Sequence, residues 1–206
     1  MTVTLVQLAL YAGALVILWL TPGPVFVALT ARSLTGGFAS AWPLALGVTI
    51  GDVIWPLVAI FGLTAAVGSH AALMGILRWV AAAIFIAMGA GLFAHAGRPI
   101  STDSRLTRPG RWAGFSAGVA AILGNPKAIL FYMGVLPGFF DLGHVRLPDV
   151  VAIVLLSMAV PLAGNLAMAA FVSQIRARLA SPAVLRRINL FAAGLLVAVG
   201  VAIAVL

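Results

Sequence analysis

The sequence predicts an all-α polytopic membrane protein: about six transmembrane helices, set out as two inverted three-helix repeats in which helices 1 and 4 are broken. Three observations predict it. Of 206 residues, 64% are apolar and 8% are charged, whereas a water-soluble domain carries about 25% charged residues to wet its surface. Residues 1–31, 150–175 and 188–206 hold no charged side chain, and about 20 apolar residues suffice to cross a bilayer core about 30 Å thick. Helix-breaking motifs recur at corresponding places, Thr21-Pro22-Gly23-Pro24 in the first apolar stretch and Asn125-Pro126-Lys127 in the fourth.

The spans read as roughly 4–31, 40–65, 73–95, 112–138, 149–172 and 188–206, within one transmembrane domain covering 1–206. The first has no basic segment before it and continues through Pro22 and Pro24, so it reads as a helix of the mature protein rather than a cleaved signal peptide. Half-repeats of about 1–96 and 112–206 are joined by loop 97–111, where Pro99, Pro109 and Gly110 act as breakers. Ser181-Pro182 interrupts any helix in the fifth connection. The odd-numbered connections hold Arg32; Arg98, Arg105, Arg108 and Arg111; and Arg176, Arg178, Arg186 and Arg187. The even-numbered ones hold only Arg78 and Arg146. Positive residues collect on the cytoplasmic side, so loop 97–111 should be cytoplasmic and both termini extracytoplasmic, in the inner (plasma) membrane. Trp42, Trp79 and Trp112 fall near span ends, where interfacial tryptophans gather.

The net charge of +8 does not point to nucleic acid. The arginines sit beside short connections, with no basic face to follow a phosphate backbone, and juxtamembrane arginine answers to topology and anionic lipid. With no cysteine there is no disulfide or thiolate chemistry. His70, His95 and His144 lack metal-ligand spacing. No hydrolase, zinc-protease or phosphate-loop motif occurs. No enzyme, metal or cofactor is expected.

Three spans per half force the second half to insert upside down, a common transporter plan with its site where interrupted helices meet at mid-depth. Each proline deletes a backbone donor and ends the helix before it. Thr21 and Asn125 read as N-caps of the restarting segments, whose free N–H groups and positive dipole ends suit an anion. A second echo pairs Gly51-Asp52 with Gly164-Asn165. Asp52 and Lys127 are charges inside predicted spans; each costs about 2.5–3.5 kcal/mol at the bilayer centre, which makes it a functional residue by default. The plainer alternative is an ion pair that pins helix 2 to helix 4. Gly47 and Gly51 would let a neighbouring backbone approach beside Asp52. Trp55 shares Asp52's helical face and could stack on an ammonium or simply pack; Trp19 and Tyr132 are weaker candidates. Gly114 and Gly118 offer a small-residue face for a homodimer.

In order and spacing, Thr21-Pro22-Gly23-Pro24, Ala31-Arg32-Ser33-Leu34 with Gly37, Ala45-Leu46-Gly47, Gly51-Asp52, Asn125-Pro126-Lys127-Ala128, Leu130-Phe131 and Leu136-Pro137 resemble the LysE/RhtB family of amino-acid exporters. The resemblance spans nearly the whole chain; Gly138 stands where many members carry glutamine. It implies export of amino acids or close analogues from the cytoplasm, driven by the proton gradient. On that reading the substrate carboxylate meets Lys127 and the segments at Pro22, Gly23, Pro24, Asn125 and Pro126. The ammonium meets Asp52, and Asn165 and Trp55 complete the site. Proton and ammonium compete for Asp52, the minimum that antiport requires. One acid and one base favour a neutral amino acid over lysine or arginine. The rivals are an uncoupled small-ion channel, which would show polar rings along several helices, a metal-ion exporter of related architecture, and a membrane enzyme or structural subunit.

Overall fold

The computed structural model describes residues 2–65 and 108–179, together with scattered helical positions between 79 and 94 and between 183 and 201. Among the described residues the regular structure is helical throughout. Helix α1, Leu5–Leu20, opens with a reciprocal cap. The Thr4 hydroxyl accepts from the Gln7 N–H at 3.2 Å, and the Gln7 side chain accepts from the Thr4 N–H at 2.9 Å, which satisfies two donors the first turn leaves over. The helix ends at Thr21, held extended at φ −73°, ψ 122° because Pro22 follows it.

Thr21 was expected to cap the segment that restarts, and here the structure differs. Its hydroxyl donates back to the Ile17 carbonyl at 2.8 Å, so it closes α1. Helix α2, Pro24–Ala65, restarts with a proline whose missing N–H is no loss in a first turn. Gly37, at φ 68°, ψ −168°, breaks it into limbs 24–36 and 38–65. That backbone region is essentially restricted to glycine. Arg32 Nε donates to the Ser40 carbonyl at 2.7 Å. Eight residues of unbroken helix would separate the two by about 12 Å along the axis, so the chain folds back at Gly37. Predicted spans 4–31 and 40–65 are thus joined by one glycine, not by a loop.

The expected break in span 112–138 is present. Helix α3, Arg111–Leu123, ends before Gly124 and Asn125; helix α4, Pro126–Leu130, a π-helical turn Phe131–Val135 and helix α5, Leu136–Phe139, follow at a bend of 48°. Asn125 is the N-cap that the sequence predicted, accepting from the Lys127 N–H at 3.2 Å. Helix α6, Leu147–Leu179, is continuous through Pro161 and outruns its predicted 149–172, so Arg176 and Arg178 belong to the helix rather than to the connection.

Hydrogen bonds tie the two ends of this bundle. At one end the Thr2 and Val3 N–H groups donate to Asp149 at 3.0 and 3.1 Å, and Gln7 Nε2 donates to the Phe139 carbonyl at 3.0 Å. At the other, the buried Arg32 guanidinium donates to the Arg108 and Gly110 carbonyls at 3.0 and 3.2 Å, and the Phe38 N–H to Ser173 Oγ at 3.0 Å. Chain segment 5–36 therefore runs opposite to 111–139, and both breaks lie between the ends.

Glycines set the closest packing. A Cβ on Gly47 would stand 2.0 Å from the Phe115 carbonyl oxygen, and one on Gly118 would stand 2.1 Å from that of Leu44. The two backbones touch there, as small residues permit between membrane helices. Gly114 lies against Arg32 and Pro43. Gly114 and Gly118, read from sequence as a dimer face, are therefore committed to contacts within the chain.

By length and composition Pro24–Gly62, which folds back at Gly37, and Leu147–Ile175 are candidate membrane spans, and the bent pair Arg111–Leu123 with Pro126–Phe139 is a candidate third, as a broken span or a re-entrant loop; Leu5–Leu20 is a shorter apolar helix. Leu5, Val6, Leu10, Ile17 and Phe171 are exposed, as lipid-facing side chains are. Trp112 and Trp79 are also exposed, and Arg111 stacks over the Trp42 ring at 5.7 Å. Predicted spans 73–95 and 188–206 lie outside the described residues, apart from the scattered helical positions.

Candidate functional site

The two breaks meet. Lys127, one residue into α4, donates its ammonium to the Leu18 carbonyl at 2.7 Å and to the Thr21 carbonyl. Leu18 lies in the last turn of α1, where its carbonyl also accepts from the Thr21 N–H at 3.3 Å, and Thr21 is the cap residue; both carbonyls stand at the negative end of the helix dipole. The only lysine of the chain thus links one interrupted helix to the other. Gly23 sits beneath it; a Cβ there would approach Lys127 Cε at 3.5 Å, an ordinary contact. Sequence reasoning gave Lys127 to a substrate carboxylate. The geometry commits two of its three N–H donors to backbone and leaves one.

Asp52 stands opposite, on the long limb of α2, 3% exposed. Its Oδ1 accepts from the Tyr132 hydroxyl at 3.3 Å, while Oδ2 is buried with no hydrogen-bond partner among the described residues. Among the described residues, the ion pair within 4.0 Å is His144–Asp141, at 2.8 Å and on the surface. Asp52 and Lys127 do not form one, so the simple pin between helices is not what holds them.

Asp52, Lys127, Asn125 and Asn165 line one cavity, together with Val25 and Phe26 of the first turn of α2 and Pro161 of α6. It encloses about 40 Å³, room for a few waters and far below the several hundred Å³ of a typical ligand pocket. Pro22, Gly23, Pro24 and Pro126 form the breaks that bound it. Trp55 is not in the lining: its indole N–H donates to the Ile122 carbonyl at 3.3 Å. That satisfies a backbone group just before the second break, which is the packing role rather than the stacking one.

Two features go beyond the sequence reading, which offered Tyr132 and Trp19 only as weaker candidates for stacking. One is the polar network behind Asp52. Tyr11 and Ser157 share a hydrogen bond of 2.6 Å, Ser157 Oγ donates to the Ile153 carbonyl at 2.8 Å, and Tyr132 lies beside them; all three residues are fully buried. The rings of Phe131, Phe139 and Phe140 pack around Tyr11 with centroids 5.2–6.1 Å away. This cluster fills the bundle between the cavity and the end that carries Thr2. The π-helical turn that aims Tyr132 inward has no sequence signature; such turns are frequent at functional sites. The other is Trp19. Its ring lies on the Gly164 backbone, so close that a Cβ would stand 2.5 Å away.

Comparison with known proteins finds membrane proteins among the relatives of this chain. The chain is 29% identical over 189 residues to an uncharacterized membrane protein of Synechocystis sp., covering 92% of this chain and 91% of that one. It is 34% identical over 113 residues to the chemotactic transduction protein ChpE of Pseudomonas aeruginosa, covering 54% of each. A second P. aeruginosa protein, an uncharacterized membrane protein, is 28% identical over 138 residues, covering 65% of this chain and 64% of that one. No solved structure matches. A family model described as LysE type translocator matches residues 16–206, a stretch that takes in both breaks, Asp52 and Asn165. This chain belongs to the LysE-type translocator family.

Proposed function

We propose that the chain is a secondary-active exporter of amino acids or close analogues, coupled to proton influx through Asp52. The observation that carries this reading is the Oδ2 of Asp52, buried with no hydrogen-bond partner among the described residues, on a side chain that lines the cavity between the two helix breaks. A carboxylate oxygen without a donor in a dry interior invites a cation. A proton and a substrate ammonium can each satisfy it, and not both at once. The substrate carboxylate is received by the remaining N–H of Lys127, by Asn125 and Asn165, and by the N–H groups that open α2 after Pro24, which have no intrahelical partners. Protonating Asp52 from outside releases the ammonium. The empty carrier returns inward, and deprotonation to the cytoplasm restores affinity.

The cycle needs two access states. Six spans in two inverted repeats, about 1–96 and 112–206, would supply them by rocking one half against the other. The opposed broken segments and the Lys127 link between them support that plan. A cavity of about 40 Å³ is too small for an amino acid, so binding must part the breaks.

The test is export of labelled amino acids from cells that overproduce the wild type, Asp52→Asn or Lys127→Met at matched membrane levels. Each variant is expected to lower export by tenfold or more, on the order of 1.4 kcal/mol of lost transition-state stabilisation. Undiminished export by both variants overturns the reading.

A further inference from the structure

We propose that the transported amino acid carries a large apolar side chain, of the leucine, methionine or phenylalanine kind, and that Trp19 is the partition its side chain passes. This rests on the exporter reading above. A second cavity adjoins the polar one, and Trp19 and Phe26 line both. It is an apolar crevice of about 420 Å³ between the first limb of α2 and α6, with Met168, Phe171, Val172 and Ile175 among its walls. An amino acid diverges from one carbon into a charged head and a side chain. The two spaces match that division: acceptors and donors for the head on one side of Trp19, an apolar slot on the other.

One orphaned polar atom marks the junction and another lies in the crevice wall. The Trp19 indole N–H and the Thr30 hydroxyl are both buried without a hydrogen-bond partner among the described residues, and Thr30 lines the crevice. A buried donor is left unsatisfied only at a cost, and a lipid acyl chain in the crevice could not satisfy either group. A substrate carboxylate at the junction could take the indole N–H. Trp19 rests on Gly164, where no side chain hinders its displacement.

The experiment measures flux of labelled leucine, alanine, serine and lysine in proteoliposomes with an imposed proton gradient. Wild type is expected to move leucine at least about tenfold faster than alanine, the discrimination that a few methylenes in an apolar slot provide, and to move serine and lysine least. Ala167→Phe, which fills the crevice from α6, is expected to bring the leucine-to-alanine ratio near one while alanine flux persists. If that variant does not insert, Ala167→Leu carries the same expectation to a smaller degree. A ratio that neither substitution moves means that lipid or nothing occupies the crevice and overturns the proposal. Wild-type preference for serine or lysine overturns it too, with the exporter reading intact. No amino-acid flux at all overturns both.

Discussion

Tyr132 supplies the hydrogen bond that the described structure gives to Asp52, to Oδ1 at 3.3 Å. Replacing it with phenylalanine keeps the ring, which packs at 5.4 Å on Phe131, and removes only the donor. A buried acceptor left unsatisfied costs about 1–3 kcal/mol. Tyr132→Phe is therefore expected to lower the thermal midpoint in detergent measurably and to reduce export about tenfold; wild-type values for both would show that the contact does no more than fill space. Lys127 makes a different prediction. Its ammonium caps the end of α1, so Lys127→Met should cost stability as well as flux, about 1–3 kcal/mol for the hydrogen bonds lost. Asp52→Asn leaves that link intact and should keep most of the thermal stability while losing transport. If Lys127→Met were as stable as wild type, the link between the breaks would carry no weight in folding.

At the level of helices, the closest approach is between the long limb of α2 and α3. A methyl group at Gly47 or Gly118 would meet a backbone oxygen at 2.0 or 2.1 Å, and backbone cannot yield as a side-chain tip does. Gly47→Ala and Gly118→Ala are each expected to destabilise by at least the 1–3 kcal/mol typical of overpacking, roughly. The sign is read from thermal unfolding in detergent and from the yield of inserted protein. Gly124→Ala, with nothing nearer than 3.4 Å, is the near-neutral control. These elements show what a sequence can reveal. Pro22, Pro24 and Pro126 announce the breaks because proline acts on its own backbone, and Asn125 announces its cap for a similar local reason. Thr21 is the exception, because it caps the helix behind it, again for a local reason, the extended backbone that Pro22 imposes. Tertiary effects stay hidden. The π-helical turn at Phe131–Val135 follows from packing rather than from any motif. Trp55 shares a face with Asp52 along α2, yet its N–H is taken by the Ile122 carbonyl, which no spacing rule could foresee. Arg32 counted from sequence as one more positive residue of a connection, whereas folding buries it against three carbonyls.

For the whole molecule the open question is which end faces the cytoplasm, since export has a direction. One end gathers Arg32, Arg108, Arg111 and Trp42; the other carries Thr2, Asp141, His144 and Asp149. Positive residues are retained on the cytoplasmic side during insertion, so the arginine end is expected to lie inside. The Tyr11 and phenylalanine cluster then lies between the cavity and the outer face. In that orientation the described conformation is closed on the outside, and the crevice, which reaches Ile175 near the Phe38–Ser173 contact, lies in the cytoplasmic half where a substrate awaiting export would arrive. The chain has no cysteine, so a single introduced one can be labelled without background. Gly143→Cys, at the exposed turn beside Asp141 and His144, is expected to react in intact cells with a membrane-impermeant maleimide. Asp103→Cys, in the arginine-bearing segment 97–111 that the sequence predicts to be cytoplasmic, is expected to react only after the membrane is permeabilised. The reverse pattern would turn the molecule over and put the Tyr11 and phenylalanine cluster, not the arginines, on the cytoplasmic side.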